Sequence, residues 1–180
     1  MPVSRSENTL PESGVRSHGH SEASAELRFI SDLGRSLLFT VHPKKVASRV
    51  ADAIRTGVDA DACLFVAELE NIGVVNCAFD RKGELMTNFL NRKRFEKWLD
   101  LLPPQVGYVE DDADEFLLQE GTHQMEYISP IHINGEIRGA IAVGFAEKVD
   151  LNEVKARLID AATQMAAMSV NLSAHYEAAI

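Results

Sequence analysis

Cysteine, membrane-length apolar sequence and positive charge are all scarce in this chain of 180 residues. Its two cysteines are too few for the disulfide framework of a small secreted domain. No apolar run approaches the ~20 residues that span a membrane, and the N-terminus lacks the apolar segment of a secretory signal. Lys and Arg total 18 against 27 Asp and Glu, which disfavours a nucleic-acid partner because phosphate neutralisation requires a basic surface. We therefore expect a cytoplasmic protein that binds neither nucleic acid nor membrane.

The remaining composition is that of one globular domain. Hydrophobic residues make up 46% of the chain and charged residues 25%, and the length suits a single core. Residues 1–23 differ, because serine, glycine and proline are frequent there and large apolar side chains are few. Such a segment cannot bury enough surface to offset its chain entropy. The sequence predicts a disordered tail over residues 1–23 and one domain over residues 24–178.

Apolar residues at helical spacing predict helices near the start and in the middle of this domain. The first begins near residue 24. The second starts at Pro43, whose missing N–H costs nothing in a first turn, and stops at Gly57. A third helix is predicted over residues 91–102, and a short one around residues 113–119.

The last predicted helix starts at Leu151, with Asp150 as its cap and Glu153 completing a capping-box pattern. One apolar line on it repeats at alternating steps of three and four, as in a coiled-coil seam. This line comprises Leu151, Val154, Leu158, Ala161, Met165, Met168 and Leu172. A second line comprises Ile159, Ala162, Ala166 and Val170. One line can pack on the sheet while the other meets the first helix or a second copy, which favours a homodimer.

A first hairpin is predicted from residues 63–67 and 74–79, where the apolar period changes to that of strands. Pairing Cys63 with Cys77 collects the apolar side chains on one face, whereas a shift by one residue mixes the faces. That face comprises Cys63, Phe65, Ala67, Val75, Cys77 and Phe79. A further short strand is predicted over residues 84–86.

A second hairpin is predicted around Asn134-Gly135, because both central residues of the favoured turn need a positive φ. Its first strand covers residues 125–133, and Pro130 within it indicates an edge or bulge position. Its second strand covers residues 136–145. One face of that strand is predicted to carry Ile137, Ile141, Val143 and Phe145, and the other Ala140, Ala142 and Gly144. The small side chains allow a helix to approach closely.

Three segments within residues 25–176 resemble a GAF domain. The first is the helix pair that leads into a strand, with DADAC at residues 59–63 at the junction. The second is the most specific: YISPI at residues 127–131, followed by NGEIRGAIAV at residues 134–143. The third is the closing helix with ATQMA at residues 162–166. The related PAS fold is the alternative.

The resemblance implies an α+β fold: a central antiparallel sheet with the N- and C-terminal helices on one face and loops and short helices on the other. It implies a sensory or regulatory module with a small-molecule pocket on the face away from the terminal helices, and dimerisation through those helices. Some members of the family bind cyclic nucleotides, haem or bilin, and one branch is enzymatic.

The residues argue against the enzymatic branch, which reduces free methionine sulfoxide with reactive cysteines on loops over the pocket. Cys63 and Cys77 lie in apolar strand patterns, where burial raises the pKa of a thiol and leaves it inert. Bilin attachment would need a cysteine in residues 80–126, which contain none. The family's cyclic-nucleotide signature is also missing. We therefore assign no catalytic residue and no metal, and the cofactor stays open.

Aromatic residues gather around the segment between the two hairpins, and apolar walls with a few polar groups suit a small ligand. The candidate ligand-binding residues are Phe79, Phe95, Trp98, Tyr108, Phe116, His123 and Tyr127. The same side chains could instead fill the space, and both alternatives stay open. His123 serves a ligand such as haem only if it points into the pocket, and an edge position is the alternative.

Two charged clusters accompany these aromatics. Five carboxylates lie within residues 110–115, without the spacing of a calcium loop. A basic cluster comprises Arg92, Lys93, Arg94 and Lys97. Contact between the two clusters would close a lid over the sheet, and an anionic ligand or partner at the basic cluster is the alternative.

These observations lead to one expected function and two alternatives. We expect a non-enzymatic sensory or regulatory domain that binds a small molecule or a signalling protein and acts through a homodimer of its terminal helices. The alternatives are a free methionine sulfoxide reductase and a ligand-free dimerisation or scaffold module.

Overall fold

The computed structural model describes residues 17–100, 107–110, 116–119 and 123–179. Within these residues it has four helices and five strands. The helices are α1 (Ser17–Leu37), α2 (Pro43–Val58), α3 (Arg92–Leu99) and α4 (Glu153–Ala178). The strands are β1 (Ala62–Leu69), β2 (Gly73–Asp80), β3 (Gly107–Glu110), β4 (Met125–Ile133) and β5 (Glu136–Phe145).

The five strands form one antiparallel sheet in the order β2-β1-β5-β4-β3. β1 and β5 are nearly continuous apolar runs, and they lie at the centre of the sheet, where both of their faces are covered. The predicted α+β class and antiparallel sheet are confirmed.

One face of the sheet, the helical face, is covered by the helices from both ends of the domain. α2 and α4 contact the sheet directly, and α1 packs against α2 and α4. The buried side chains between them include Ile54 and Val50 from α2 and Ile159, Ala162 and Val170 from α4. The expected packing of both terminal helices on one face is therefore confirmed.

The opposite face is covered by α3 and residues 116–119, which we call the roof. Trp98 of α3 is fully buried against the small residues Ala140 and Ala142 of β5, which allow the helix to approach closely as predicted. Residues 116–119 are irregular apart from one bridge residue. Leu118 forms a bridge with Leu90, and the Asn91 N–H donates to the Leu117 carbonyl at 2.9 Å.

The first hairpin forms with the predicted faces but a different pairing. Phe65 lies opposite Cys77, and Cys63 lies opposite Phe79. The predicted Cys63–Cys77 pair is therefore wrong by two residues. A three-residue loop causes the difference, because Asn71 has φ 68° and Gly73 has φ 88° and the strands close at the Leu69–Gly73 pair.

The second hairpin has the predicted turn, with φ 54° at Asn134 and φ 83° at Gly135. Pro130 lies beyond the end of the β3 pairing, which stops at Ile128, so its missing N–H costs no bond there. A bulge follows at Ile131/His132.

The same bulge moves Ile137 to the roofed face of the sheet. Ile131 pairs with Gly139 and His132 pairs with Ile137, so one residue of β5 is skipped. Ile137 therefore packs with Ala140 and Ala142. Its predicted place beside Ile141, Val143 and Phe145 is wrong, although those three do share the helical face.

α4 begins at Glu153, two residues later than predicted. Asn152 has extended backbone angles, and its side chain accepts the Lys155 N–H at 2.9 Å, so Asn152 is the cap and not Asp150. Leu151 is thereby left outside the helix, where it is buried in the core of the helical face.

Several predicted segments differ in extent or lie outside the described residues. α1 begins at Ser17, inside the segment predicted as a tail, and residues 1–16 lie outside the description. The predicted strand at residues 84–86 is only a bridge between Leu85 and Phe79. Of the short helix predicted around residues 113–119, the described part is not helical but irregular, and residues 113–115 lie outside the description.

Candidate functional site

A buried carboxylate lies directly beneath the roof. β4 alternates between the two faces of the sheet, and this places Glu126 on the roofed face with no exposed surface. Its Oε2 accepts the Leu117 N–H at 2.8 Å, and its Oε1 accepts the Leu118 N–H at 3.0 Å. Glu126 therefore ties two consecutive residues of the roof to the sheet.

His123 lies beside this carboxylate, immediately before β4. Its side chain is only 4% exposed, and its Nε2 is 3.9 Å from Glu126 Oε1. Nε2 has no hydrogen-bond partner among the described residues. The ring packs against Phe116 with centroids 4.7 Å apart. Gly144 leaves room for it, because a Cβ there would lie 3.2 Å from the imidazole ring.

Burial controls the ionisation of both groups. It raises the pKa of Glu126 to about 7, against the smaller opposing effects of the Leu117 and Leu118 N–H groups and of Arg94. Burial also lowers the pKa of His123, and the opposing effect of the Asp61 carboxylate is smaller. Burial therefore favours the uncharged form of both groups.

The seven candidate ligand residues do not form one site. Four of them come together under the roof: Phe95, Trp98, Phe116 and His123. The other three, Phe79, Tyr108 and Tyr127, belong to the opposite side of the sheet, because odd-numbered residues of β2 and β4 face the helices. The expectation of a single aromatic pocket is corrected accordingly.

The two tyrosines instead form a polar connection between the sheet and α4. Their rings meet edge to face at 5.3 Å. The Tyr108 hydroxyl donates to the Leu151 carbonyl at 3.3 Å, and the Tyr127 hydroxyl donates to Asp160 at 3.3 Å. Ser129 also donates to Asp160, at 2.8 Å.

The roof fills the space where a ligand was expected. Phe116, Leu117 and Leu118 are buried and pack with Trp98 against Leu64 and Ile128 of the sheet. In this arrangement the described side chains occupy the roofed face themselves.

Sequence reasoning missed Glu126 and the true position of Arg94. Arg94 is buried within α3 and does not belong to an exposed basic cluster. Its spacing from Asn91, Phe95 and Trp98 places it on the inward side of the helix, which is a signal in the sequence. Glu126 occupies an even position of β4, on the same face as Ile128. Of the acidic run, only Glu110 is described, and it pairs with Lys148 at 3.3 Å.

A second surface of interest is an apolar groove between α1 and α4, with a volume of about 390 Å³. Met168 and Leu172 of α4 are 75% and 73% exposed there, and Leu38 after α1 is 75% exposed. Of the predicted seam, Met168 and Leu172 therefore face outward, whereas Leu151 and Leu158 are buried in the core of the helical face. The second line, which includes Ile159 and Ala166, is the one that packs on the sheet.

α4 carries no Asp, Glu, Lys or Arg from residue 161 to residue 176. An exposed helix face normally carries charged residues, and their depletion is typical of interface cores. Among the described residues, no helix combines the length and apolar character needed to cross a membrane.

The cysteines are free thiols in β1 and β2, and both are buried. Burial raises the pKa of Cys63 well above its ordinary value, and also raises that of Cys77. The described residues contain no cluster of three or more His, Cys, Asp or Glu side chains suited to a metal ion.

Solved structures with the same architecture are GAF domains. The GAF domain of a protein described as a sensor histidine kinase from Pseudomonas syringae pv. tomato aligns with a TM-score of 0.61 and 12% identity, over 89% of this chain and 95% of that one. The GAF domain of a phosphoenolpyruvate-protein phosphotransferase from Coxiella burnetii gives 0.58 and 18%, over 88% and 99%. The chromophore-binding domain of a bacteriophytochrome from R. palustris gives 0.64 and 8%, over 85% and 63%.

No protein-family model matches the sequence, and no curated protein matches it. The likeness to the solved structures establishes the fold.

Proposed function

Since this chain has the GAF fold, we propose that it is a non-enzymatic regulatory module that acts through a homodimer formed by α1 and α4. The observation that carries the proposal is the outward apolar face of these two helices. Met168, Leu172 and Tyr176 follow one another along α4 at steps of four residues, and the groove beside them is lined by Gly34 and Leu38.

A second copy of the chain is the occupant that this surface favours. α1 and α4 lie side by side. They can pair with the same two helices of a second copy about a two-fold axis, which gives a four-helix arrangement. The absence of charged residues from 161 to 176 removes the like-charge contacts that would oppose such self-association. Gly34 allows α1 and α4 to lie close, with Met165 in contact.

The test is a charge placed in the groove. Leu172→Glu should convert a dimer into a monomer in sedimentation equilibrium, because a buried unpaired carboxylate at an interface costs several kcal/mol. The matched control is Leu85→Glu, since Leu85 is also largely exposed but lies far along the chain from α1 and α4. A wild-type chain that stays monomeric at high concentration, or an L172E chain that stays dimeric, would contradict the proposal.

For the sensory part, we propose that any small-molecule ligand enters under the roof, beside Phe95, Trp98 and His123. Support comes from the position of these side chains on the face away from the terminal helices. A thermal-shift screen with nucleotides, haem and small acids tests this, because binding to the native state raises the melting temperature.

The filled roofed face favours a second candidate function, a dimerisation module without a ligand. Phe116 and Leu117 are already buried in one cluster with Trp98 on the roofed face. A flat thermal-shift screen, combined with dimerisation that is lost in L172E, would support this second candidate.

The enzymatic alternative makes a different prediction for the thiols. Because burial raises the pKa of Cys63 and Cys77, few thiolates form at neutral pH and access is poor. The native chain should react with a thiol reagent far more slowly than the same chain in denaturant, where both cysteines should react. Fast modification of either cysteine in the native state would favour a reductase.

A further inference from the structure

The roof is held to the sheet by a pair of ionisable groups that neither the dimer nor a filled apolar pocket requires. Glu126 has no exposed surface, and it accepts the N–H groups of Leu117 and Leu118. His123, with its side chain 4% exposed, holds Nε2 at 3.9 Å from Glu126 Oε1 without another partner among the described residues. A buried polar atom without a partner calls for an explanation in function or strain.

One proton shared by Glu126 and His123 would account both for the burial of the Glu126 carboxyl group and for the unpartnered Nε2 of His123. A neutral Glu126 can donate its O–H to the unprotonated Nε2 of His123 after a small movement, while its other oxygen still accepts an N–H from the roof. Neither group then carries a charge in a site without solvent, where an uncompensated charge is costly. When the proton is lost, Glu126 becomes a buried carboxylate, and water can solvate it only if the roof segment moves away.

Other charged groups near the pair shift the pKa values of Glu126 and His123. Arg94, from α3, and the two N–H groups of residues 117 and 118 favour the carboxylate form of Glu126, and burial outweighs them. Asp61, at the start of β1, favours a protonated His123, and burial outweighs it too. The strands beside Glu126 contribute Gly144 and Val109, which carry no charge.

We propose that Glu126 and His123 form a proton-operated latch: the roof segment, residues 116–119, stays closed while the pair holds one proton and opens when that proton is lost. Opening would uncover the side of Trp98 that Leu117 and Phe116 now cover. The latch would thereby control access to the roofed face. Its readout is local to the roof and independent of the oligomeric state, so the latch and the proposed homodimer can fail separately.

The direction of the pH dependence follows from linkage. The pKa of Glu126 is about 7 with the roof closed, against 4.5 for an exposed glutamate, so the closed form binds the proton more tightly. The contribution of Glu126 to the stability of the closed roof is therefore full below pH 4.5, is lost as pH rises from 4.5 to about 7, and does not change at higher pH. For His123 the closed form has the lower pKa, so its protonation below the ordinary value of 6.5 also favours opening. Below pH 6.5 the two effects oppose one another, so the loss of stability with rising pH is clearest between 6.5 and about 7.

Amide hydrogen exchange of the full-length chain tests the latch. Protection of the Leu117 and Leu118 amides, corrected for intrinsic exchange, should fall as pH rises toward about 7, by no more than about tenfold per pH unit, and should level off above about 7. Amides in β1 serve as the internal reference and should keep their protection. Protection of residues 117 and 118 that stays constant from about pH 6 to about pH 8.5 would overturn the proposal.

Two variants test whether the pH dependence comes from Glu126. Glu126→Gln cannot ionise, so the fall in protection at residues 117 and 118 as pH rises toward about 7 should disappear, leaving only the gain in protection that deprotonation of His123 gives as pH rises toward 6.5. The matched control is Glu110→Gln on the neighbouring strand β3, where the carboxylate is half-exposed and pairs with Lys148, and it should retain the wild-type pH dependence. A wild-type pH dependence in E126Q would overturn the latch. If E126Q does not fold, a carboxyl-carbon NMR titration of wild-type Glu126 decides, since a midpoint near 4.5 contradicts the proposal and one near 7 supports it.

Discussion

At the scale of single residues, Gly139 has the tightest surroundings of the glycines in the sheet. It lies where β5 passes the bulge and pairs with Ala67 of β1. An added Cβ would collide with the Val66 carbonyl oxygen and lie 2.7 Å from Ala67 Cα. Because both neighbours are backbone atoms at the centre of the sheet, they cannot move without breaking the β1–β5 pairing.

Gly139→Ala should therefore destabilise the fold by about 1–3 kcal/mol, the usual cost of overpacking a core. For a chain of this size, each kcal/mol lowers the melting temperature by about 2–4 °C, which calorimetry resolves. The control is Gly34→Ala in α1, where the added methyl meets only the mobile end of Met165 and alanine favours the helix. Equal melting temperatures for G139A and wild type would show that the sheet adapts at this point.

Which single residues could be predicted depends on whether their role is local. Asn134 and Gly135 were predictable because the turn requires positive φ at both positions, and the structure has it. Glu126 was not, because its partners are backbone N–H groups of a segment without regular structure. A pattern of side chains carries no information on such a contact.

At the scale of elements, β4 joins the roof to α4. Its even residue Glu126 faces the roof, and its odd residues Tyr127 and Ser129 face α4, where both hydroxyls donate to Asp160. The same strand therefore carries the polar contacts to the roof and the polar contacts to α4. The Asp160 carboxylate and burial together raise the pKa of Tyr127 to about 12, with burial the larger cause.

Asp160→Asn should lower the pKa of Tyr127 while leaving it above the ordinary value of 10, because the negative charge is removed and the burial remains. A tyrosine titration resolved by NMR measures this shift. Asp150→Asn is the control, since Asp150 raises the pKa of Tyr108 and is not among the groups that act on Tyr127. An unchanged Tyr127 in D160N would mean that Asp160 does not hold α4 to β4 in solution.

Elements were predictable where one period dominates. The alternation of residues 136–145 and the helical spacing of α2 both gave the correct type of element. The predictions were wrong where the loop or a bulge changed the strand register. The bulge between β4 and β5 places Ile137 on the roofed face, and the three-residue loop pairs Cys63 with Phe79 and not with Cys77. On α4, two apolar lines were evident, but only the packing of α1 and α2 decides that Ile159 faces inward and Met168 outward.

At the scale of the whole molecule, net charge and the proposed interface act in opposite directions. The chain carries a formal charge of −9, so two copies repel one another at long range. The exposed face of α4 from residue 161 to residue 176 has no Asp, Glu, Lys or Arg, so a dimer formed there would gain no salt bridge from it. Added salt should therefore weaken the repulsion without weakening apolar contacts along that face.

The dimer should accordingly become tighter as ionic strength rises. The screening length falls from about 30 Å at 0.01 M to about 8 Å at 0.15 M, which is short compared with the separation of most charges on two paired domains. We expect the dissociation constant from sedimentation equilibrium to decrease several-fold over this range, the reverse of an interface built on ion pairs. The control is Leu85→Glu, which adds one further negative charge outside the groove and should show a slightly steeper salt dependence. A dimer that weakens with added salt would require interfacial ion pairs, which residues 161–176 of α4 do not offer, and would contradict an interface built on the apolar face of α4.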